Sequence, residues 1–286
     1  MARRKKVSVF ERFGRLVQKL VLPSVVRLRW RLRALRRPRS AGSPLVLTVT
    51  SYPPRFPTLA LTLKSLLLQN LRPEFTILWV AHDDFAKLPP AVLALQADGL
   101  TIRTTADTRS YKKIIPAIEA FPQASLVIAD DDTYYWPSWL EELVAAAAPG
   151  AREVVCHRAH RIILRPDGLP ARYADWEEET AEHGPSRLLF PTGIGGVLYP
   201  PGIFAADVTR QDIFTRYCPQ ADDIWLFWMA SLAGARFHRI GQPRTFITWF
   251  SSQQVGLLQS NVLNTDGNDR QIANMIEAYG FPARDA

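Results

Sequence analysis

The sequence predicts an α/β fold: a mainly parallel, Rossmann-like sheet with helices on both faces, preceded by a basic amphipathic helical arm. Three observations predict it. From residue 45 onward, short apolar β-branched runs alternate with segments of helical spacing. One of these runs, Leu126-Val127-Ile128-Ala129, ends directly in Asp130-Asp131-Asp132. Residues 1–40 hold fourteen Lys/Arg and one acid, Glu11, a net +13, while residues 41–286 hold 21 basic and 26 acidic residues, a net −5.

The arm comes first. Val9, Phe10, Phe13, Leu16, Val17, Leu20 and Val21 recur at helical spacing among Arg12, Arg15 and Lys19. After Pro23 the pattern resumes with Val25, Val26, Leu28, Trp30, Leu32 and Leu35 among arginines. A basic amphipathic segment with a Trp suits an anionic membrane surface, and residues 1–40 are expected to make that contact. Packing on the body or a partner and a cleaved Arg-rich targeting peptide are the competing readings; no nucleic-acid partner is expected. Arg36 to Pro44 reads as a linker, so residues 1–43 form the arm and linker.

In the body, Leu45–Thr50 is a strand stopped by Ser51-Tyr52-Pro53-Pro54. Thr58–Gln69 is a helix, Phe75–Ala81 a strand, Pro90–Gln96 a short helix and Leu100–Thr104 a strand. Lys112–Ala120 is helical with Pro116 near its first turn, and Ser125–Ala129 is the strand before the acids. Pro137–Ala148 is a helix with proline at its start, and Val154–His157 is a fifth strand. Residues 158–190, with the acidic stretch Asp175 to Glu179, read as loop or short helix; Leu188–Pro201 is rich in Gly and Pro. Asp222–Ala233 is an aromatic helix and Ala235–Ile240 a strand. The body spans 44–250, and 251–286 reads as a polar, mobile tail.

Composition sets the outer limits. At 47% hydrophobic and 22% charged residues, the 286-residue chain is neither disordered nor fibrous. No stretch of about 18 apolar residues occurs that could span a bilayer as a helix. Two cysteines, Cys156 and Cys218, make neither a disulfide scaffold nor a four-cysteine zinc site, and a reducing compartment is the simplest reading.

The chemistry concentrates at Asp130-Asp131-Asp132. Adjacent carboxylates at the end of a buried strand repel one another and lose hydration. A hard divalent cation such as Mg²⁺ or Mn²⁺ removes that cost and also binds phosphate oxygens. The carboxyl ends of strands in open α/β sheets are where ligands collect. His157 and His160 have the wrong spacing for paired zinc ligands on one helical face, and one of them is a candidate lining residue. His238 is a candidate third metal ligand, although a lone histidine is more often structural. Trp225, Phe227 and Trp228 read as core rather than as a sugar platform.

With these motifs in order, the chain resembles the GT-A glycosyltransferases, and more closely bacterial family-two-like enzymes of the cell envelope. The resemblance rests on Thr50-Ser51-Tyr52-Pro53-Pro54-Arg55, Arg109-Ser110-Tyr111-Lys112-Lys113, Ala129-Asp130-Asp131-Asp132, Cys156-His157-Arg158-Ala159-His160, Pro191-Thr192-Gly193-Ile194-Gly195-Gly196 and Ala221-Asp222-Asp223-Ile224-Trp225. It covers roughly residues 45–240 and excludes the arm. It implies a GT-A fold and a metal held by Asp130 and Asp132, with Asp131 adjacent. It implies donor contacts from Thr50, Ser51, Tyr52, Arg109, Lys112, Lys113, Asp130, Asp131, Gly195 and Gly196. Either Asp222 or Asp223, with Asp223 preferred, would be the base that deprotonates an acceptor hydroxyl in an inverting displacement. Each element has a plainer counterpart: a turn set by two prolines, a capped helix start, a tight glycine turn, or acids stabilised by a helix N-terminus.

The expected function is metal-dependent transfer of a sugar from a nucleotide-sugar donor to a glycan or lipid-linked acceptor of the cell envelope. The enzyme would be cytoplasmic and peripheral on the inner face of the membrane. The alternatives are a nucleotidyltransferase of related fold, which would want a Gly-rich basic loop after the first strand, or a non-enzymatic glycan- or partner-binding module.

Overall fold

The computed structural model describes residues 9–242, 244–250 and 267–283. Residues 1–8 of the arm and 251–266 of the expected tail lie outside the described residues. The arm forms one helix, α1 (Val9–Arg31), which runs through Pro23 without breaking. The linker is tied down rather than loose. β1 (Arg39–Ser40) precedes β2 (Leu45–Thr50), and Arg36 Nη2 donates to Asn70 Oδ1 at 3.0 Å. α2 (Phe56–Leu67) leads to β3 (Leu71–Arg72), which pairs in parallel with β1, and then to β4 (Phe75–Ala81).

The chain continues through α3 (Pro90–Leu93), β5 (Leu100–Thr105), α4 (Ile115–Ala120), β6 (Ser125–Ala129), α5 (Trp139–Ala146) and β7 (Glu153–Cys156). The expected helix over Lys112–Ala120 divides: residues Arg109–Lys113 form a 3₁₀ turn and α4 starts beside Pro116, where a missing N–H costs nothing. β8 (Ala159–Arg161) and β9 (Leu189–Pro191) pair antiparallel, and β10 (Val197–Tyr199) follows. α6 (Gln211–Tyr217), α7 (Asp222–Leu232), β11 (Arg236–Arg239) and α8 (Gly267–Tyr279) complete the fold.

Seven strands form the central sheet in the order β11-β7-β10-β6-β2-β4-β5. Six run parallel, and β10 alone runs against its neighbours β6 and β7. Period-two alternation sends each strand's side chains to both faces, and both faces are buried. In β2, Leu45, Leu47 and Val49 pack with Leu59, Leu63 and Leu66 of α2 and Leu140 and Leu143 of α5. Val46 faces the opposite layer, with Trp225 and Trp228 of α7. Trp225, Phe227 and Trp228 are buried, so the aromatic run of α7 is core, as its apolar pattern implied.

The structure corrects the reading of the second half. Leu188–Pro201 is not merely a Gly- and Pro-rich loop, because it supplies β9 and β10. These three-residue strands are too short for a periodic signal. The segment 267–283, read as part of a polar mobile tail, holds the helix Gly267–Tyr279 and is docked on α7. Its polar composition hides an apolar stripe: Ile272 and Met275 are buried, and Phe281 after the helix lies beside Trp228 with ring centroids 5.9 Å apart. Trp228 Nε1 also donates to the Gly280 carbonyl at 2.9 Å. The body therefore includes α8. Replacing Met275 by Ala should lower the stability to urea by about 2–5 kcal/mol, the cost of a buried cavity. A change under about 0.5 kcal/mol, the size expected of a surface site, would show that α8 is not packed.

Candidate active site

The carboxyl ends of β2 and β6 and the N-terminus of α7 meet at one place, and the acids collect there. β6 ends at Ala129, and each of the next three carboxylates turns to a different partner. Asp130 Oδ1 lies 3.3 Å from Lys113 Nζ. Asp131 Oδ2 accepts from Ser51 Oγ at 2.6 Å. Asp132 Oδ2 is paired with the Arg55 guanidinium, and its Oδ1 accepts from Thr133 Oγ1 at 3.2 Å. The backbone N–H of Asp130 donates to Tyr135 Oη at 2.7 Å, and the carbonyl of Asp131 accepts from Thr62 Oγ1 at 2.8 Å, so the loop is pinned from both sides.

α7 brings the second pair. Asp222 Oδ2 is 2.9 Å from Lys113 Nζ, and Asp223 Oδ2 accepts the Gly193 N–H at 3.1 Å. Lys113 is buried among three acids. Burial alone would lower its pKa, but Asp222, Asp130 and Asp223 together hold it well above the ordinary lysine value, so it stays charged. Burial pushes the Asp223 carboxyl up, Asp222 adds to the rise, and Lys113 and the Gly193 N–H oppose it. Asp131 is raised to about 7 by burial and by Asp132, against Arg55 and Ser51.

Gly193 is the pivot. A Cβ there would sit 3.0 Å from Lys113 Nζ, 3.3 Å from Asp223 Oδ1 and 3.4 Å from Asp130 Oδ1. Two carboxylate oxygens from distant segments thus converge with one ammonium on a point left open by the missing side chain. Sequence reading selected Gly195 and Gly196 instead, and the structure gives those two a packing role. A Cβ on Gly195 would meet Arg158 at 2.8 Å, and one on Gly196 (φ +84°) would enter the Trp139 ring at 2.2 Å. Gly195 also accepts the Trp139 indole N–H at 2.8 Å through its carbonyl.

The other expected donor contacts divide. Ser51 joins the site, whereas Thr50 donates from its hydroxyl to the Trp79 carbonyl of β4 at 2.9 Å. Tyr52 is half-buried at the end of β2, beside the turn carrying Arg55. Lys113 belongs to the site, but its neighbour Lys112 is buried against Asp107. Arg109 is exposed, in a left-handed conformation (φ +56°), with its N–H bonded to Asp107 Oδ1 at 3.1 Å. His157 and His160 do not line the acid cluster. His157 Nε2–H donates to the Trp139 carbonyl at 3.1 Å, and His160 Nδ1 accepts the Glu179 N–H at 3.0 Å. Burial lowers them to about 4 and about 3, so both are neutral. His238, on edge strand β11, lies 3.8 Å from Glu153 and joins no metal cluster.

Sequence reading missed Arg55 and Gly193 as site residues. Both stand in motifs it quoted, but nothing local shows that Arg55 turns inward or that only Gly193 reaches the acids.

The expected cation fits one carboxylate rather than two. Among the described residues no group of three or more His, Cys, Asp or Glu is arranged to hold a metal. Asp132 is neutralised by Arg55, whereas the Asp130 side chain, 3.3 Å from Lys113, is 29% exposed. A Mg²⁺ or Mn²⁺ that keeps its waters and takes substrate phosphate oxygens needs only one or two protein carboxylates. Asp130 is placed to supply one.

This geometry separates two substitutions that the sequence treats alike. Asp132→Ala strands the buried Arg55 charge and should cost about 3–5 kcal/mol in a urea melt, whereas Asp130→Ala should cost under about 1 kcal/mol. Equal losses would refute the Arg55 pairing. For His160, the folded pKa lies below that of the unfolded chain, so its contribution is present above about 6.5 and fades as the pH falls. The stability advantage of wild type over His160→Gln should therefore shrink by about 1.4 kcal/mol per pH unit below 6.5. A difference independent of pH between 7 and 5 would show that His160 takes up a proton as readily in the folded as in the unfolded chain.

No protein-family model matches the chain, and no curated protein matches it. Among solved structures it is similar to a 4-diphosphocytidyl-2C-methyl-D-erythritol synthase, at 10% identity and a TM-score of 0.41 over 79% of this chain and 97% of that one. It is also similar to the inositol-1-phosphate CTP transferase from T. maritima, at 9% identity and a TM-score of 0.40 over 82% and 97%. A third is a CMP:2-keto-3-deoxy-manno-octonic acid synthetase complexed with CTP, at 11% identity and a TM-score of 0.42 over 72% and 94%. Likeness at this level carries no argument about the reaction of this chain.

Proposed function

We propose that the chain is a glycosyltransferase that moves a sugar from a nucleotide-sugar donor to a hydroxyl of an envelope glycan or lipid-linked acceptor. The observation that carries the reading is the convergence of Asp130 Oδ1, Asp223 Oδ1 and Lys113 Nζ on Gly193 at the carboxyl edge of the sheet. That edge is where open α/β sheets bind ligands. Asp223 is the base. Its Oδ2 is occupied by the Gly193 N–H, which leaves Oδ1 to take the acceptor proton. Its raised proton affinity suits a group that must accept a proton near neutral pH. As the acceptor oxygen bonds to the sugar anomeric carbon, the bond from that carbon to the donor phosphate breaks, and a single displacement inverts the configuration. Asp222 holds Lys113, and Lys113 faces the negative charge of the donor. A divalent cation arriving with the donor would be held by Asp130 and would neutralise the leaving nucleoside diphosphate.

Nucleotidyl transfer by an enzyme of related fold is the second reading. Against it, the loop after β2 is a Pro53-Pro54 3₁₀ turn whose basic residue, Arg55, is turned inward to Asp132.

The products separate the two. Sugar transfer releases a nucleoside diphosphate from a nucleotide sugar; nucleotidyl transfer releases pyrophosphate from a nucleoside triphosphate. Nucleoside diphosphate release across a donor panel, with and without Mn²⁺, supports the proposal, and pyrophosphate release replaces it. Asp223→Asn should cut turnover about 10²–10⁴-fold while leaving nucleotide binding unchanged. The wild-type rate should rise with pH through the neutral range, because the base works only when deprotonated. Release of neither product by the wild type would move the chain to the non-enzymatic module.

A further inference from the structure

α1 has two apolar faces, and only one is used. Val26 is buried and Trp30 is packed against the α2 layer, so this side holds the helix to the body. At about 100° per residue, Val17, Leu20, Val21 and Leu28 fall on the opposite side. They are 41–62% exposed, and Leu35 beyond the helix is 78% exposed. A helix packed on a globular body normally turns a polar face to water. Here the outward face is leucine and valine, with exposed Arg27 and Arg31 set among them.

The other side of the helix, which carries Lys19 along with Val26 and Trp30, lies near the candidate active site. Lys19 Nζ lies 5.9 Å from the centroid of the Phe250 ring, and Phe250 is 48% exposed. The residue before it, Trp249, donates its N–H to the Asp132 carbonyl at 3.0 Å and its indole N–H to Thr62 Oγ1 at 2.7 Å. The body-packed side of α1, not its outward face, is therefore the side that connects through Phe250 and Trp249 to the backbone of the carboxylate loop.

We propose that the outward face of α1 docks on an anionic lipid bilayer, with the exposed Phe250 beside the same helix reaching the headgroups, so that the acceptor is membrane-borne. The acceptor part rests on the glycosyltransferase reading above. A bilayer fits better than a second copy of the chain. Residues 1–40 carry +13, and pairing two such faces would oppose like charges, whereas anionic headgroups complement them. Arg27 and Arg31 can lay their stems along the apolar surface and keep their guanidinium groups at the phosphate level. No helix among the described residues is long and apolar enough to cross a membrane, so the contact is with the surface.

The test is co-sedimentation of the full chain with phosphatidylcholine vesicles, with and without phosphatidylglycerol. Binding only to the anionic vesicles is expected. Leu20→Glu combined with Val21→Glu should weaken it by about tenfold or more, from two lost apolar insertions and two added negative charges. The thermal melt and nucleotide binding should not change, because neither side chain touches the core. Phe250→Glu should also weaken vesicle binding; if it does not, the cleft rim lies off the membrane and the membrane-borne acceptor is overturned. Undiminished binding by the double variant overturns the docking surface. So does a wild-type dimer that the double variant abolishes, which would make this face a subunit interface. Nucleoside diphosphate release without vesicle binding overturns docking alone, and vesicle binding without any such release overturns only the enzymatic reading.

Discussion

The molecule is organised around the electrostatic cost of gathering five carboxylates at one edge of a sheet. Asp130, Asp131, Asp132, Asp222 and Asp223 come from two segments ninety residues apart, and two buried cations hold them. Lys113 bridges Asp130 and Asp222, and Arg55 closes on Asp132. Without these cations the acids would be buried at high cost or would have to take up protons. The residual imbalance appears at Asp131 and Asp223, whose carboxyls are pushed above their ordinary range. A site that keeps carboxyls near neutrality can exchange protons with a substrate, as base catalysis requires.

Holding that cluster demands a rigid frame, and several layers supply it. The Lys113 carbonyl accepts from Thr48 Oγ1 of β2 at 2.6 Å, which fixes the lysine to the centre of the sheet. Tyr135 caps the Asp130 N–H and packs against Trp139 with ring centroids 4.4 Å apart and the planes tilted by 52°, and Trp139 in turn holds the Gly195 carbonyl. The glycine loop between β9 and β10 is thereby set against the acids. β10, the one antiparallel strand of the central sheet, returns the chain between β6 and β7 so that this loop lies over the end of β6. Gly193 then sits where any side chain would occupy the space between Asp130 and Asp223.

Part of this was legible locally. Strands such as Leu45–Thr50, Phe75–Ala81 and Ser125–Ala129 carry enough apolar residues for their ends to be read to the residue. The chemistry of Asp130 to Asp132 and of Asp222-Asp223 was visible because adjacent acids beside an apolar run are unusual. β8, β9 and β10 are too short to show a period. α8 is polar on average, and its buried stripe becomes apparent only once Trp228 and the α7 surface are there to receive it. Gly195 and Gly196 look as suitable for a ligand as Gly193, because sequence cannot say which glycine faces a cleft and which faces an indole ring.

The sequence by itself determined the layered α/β architecture, the carboxylate-rich strand end and the separation of a basic arm from an acidic body. These follow from periodicity and charge, which are properties of neighbouring residues. Only the tertiary structure decided how the charges pair: Lys113 rather than Lys112 enters the site and is shared by Asp130 and Asp222, and Arg55 claims Asp132. It also decided that one apolar face of α1 is used against the body while the other faces solvent. Such outcomes depend on which distant groups share a small volume, where desolvation and Coulomb attraction act over a few ångströms, and no linear spacing encodes that.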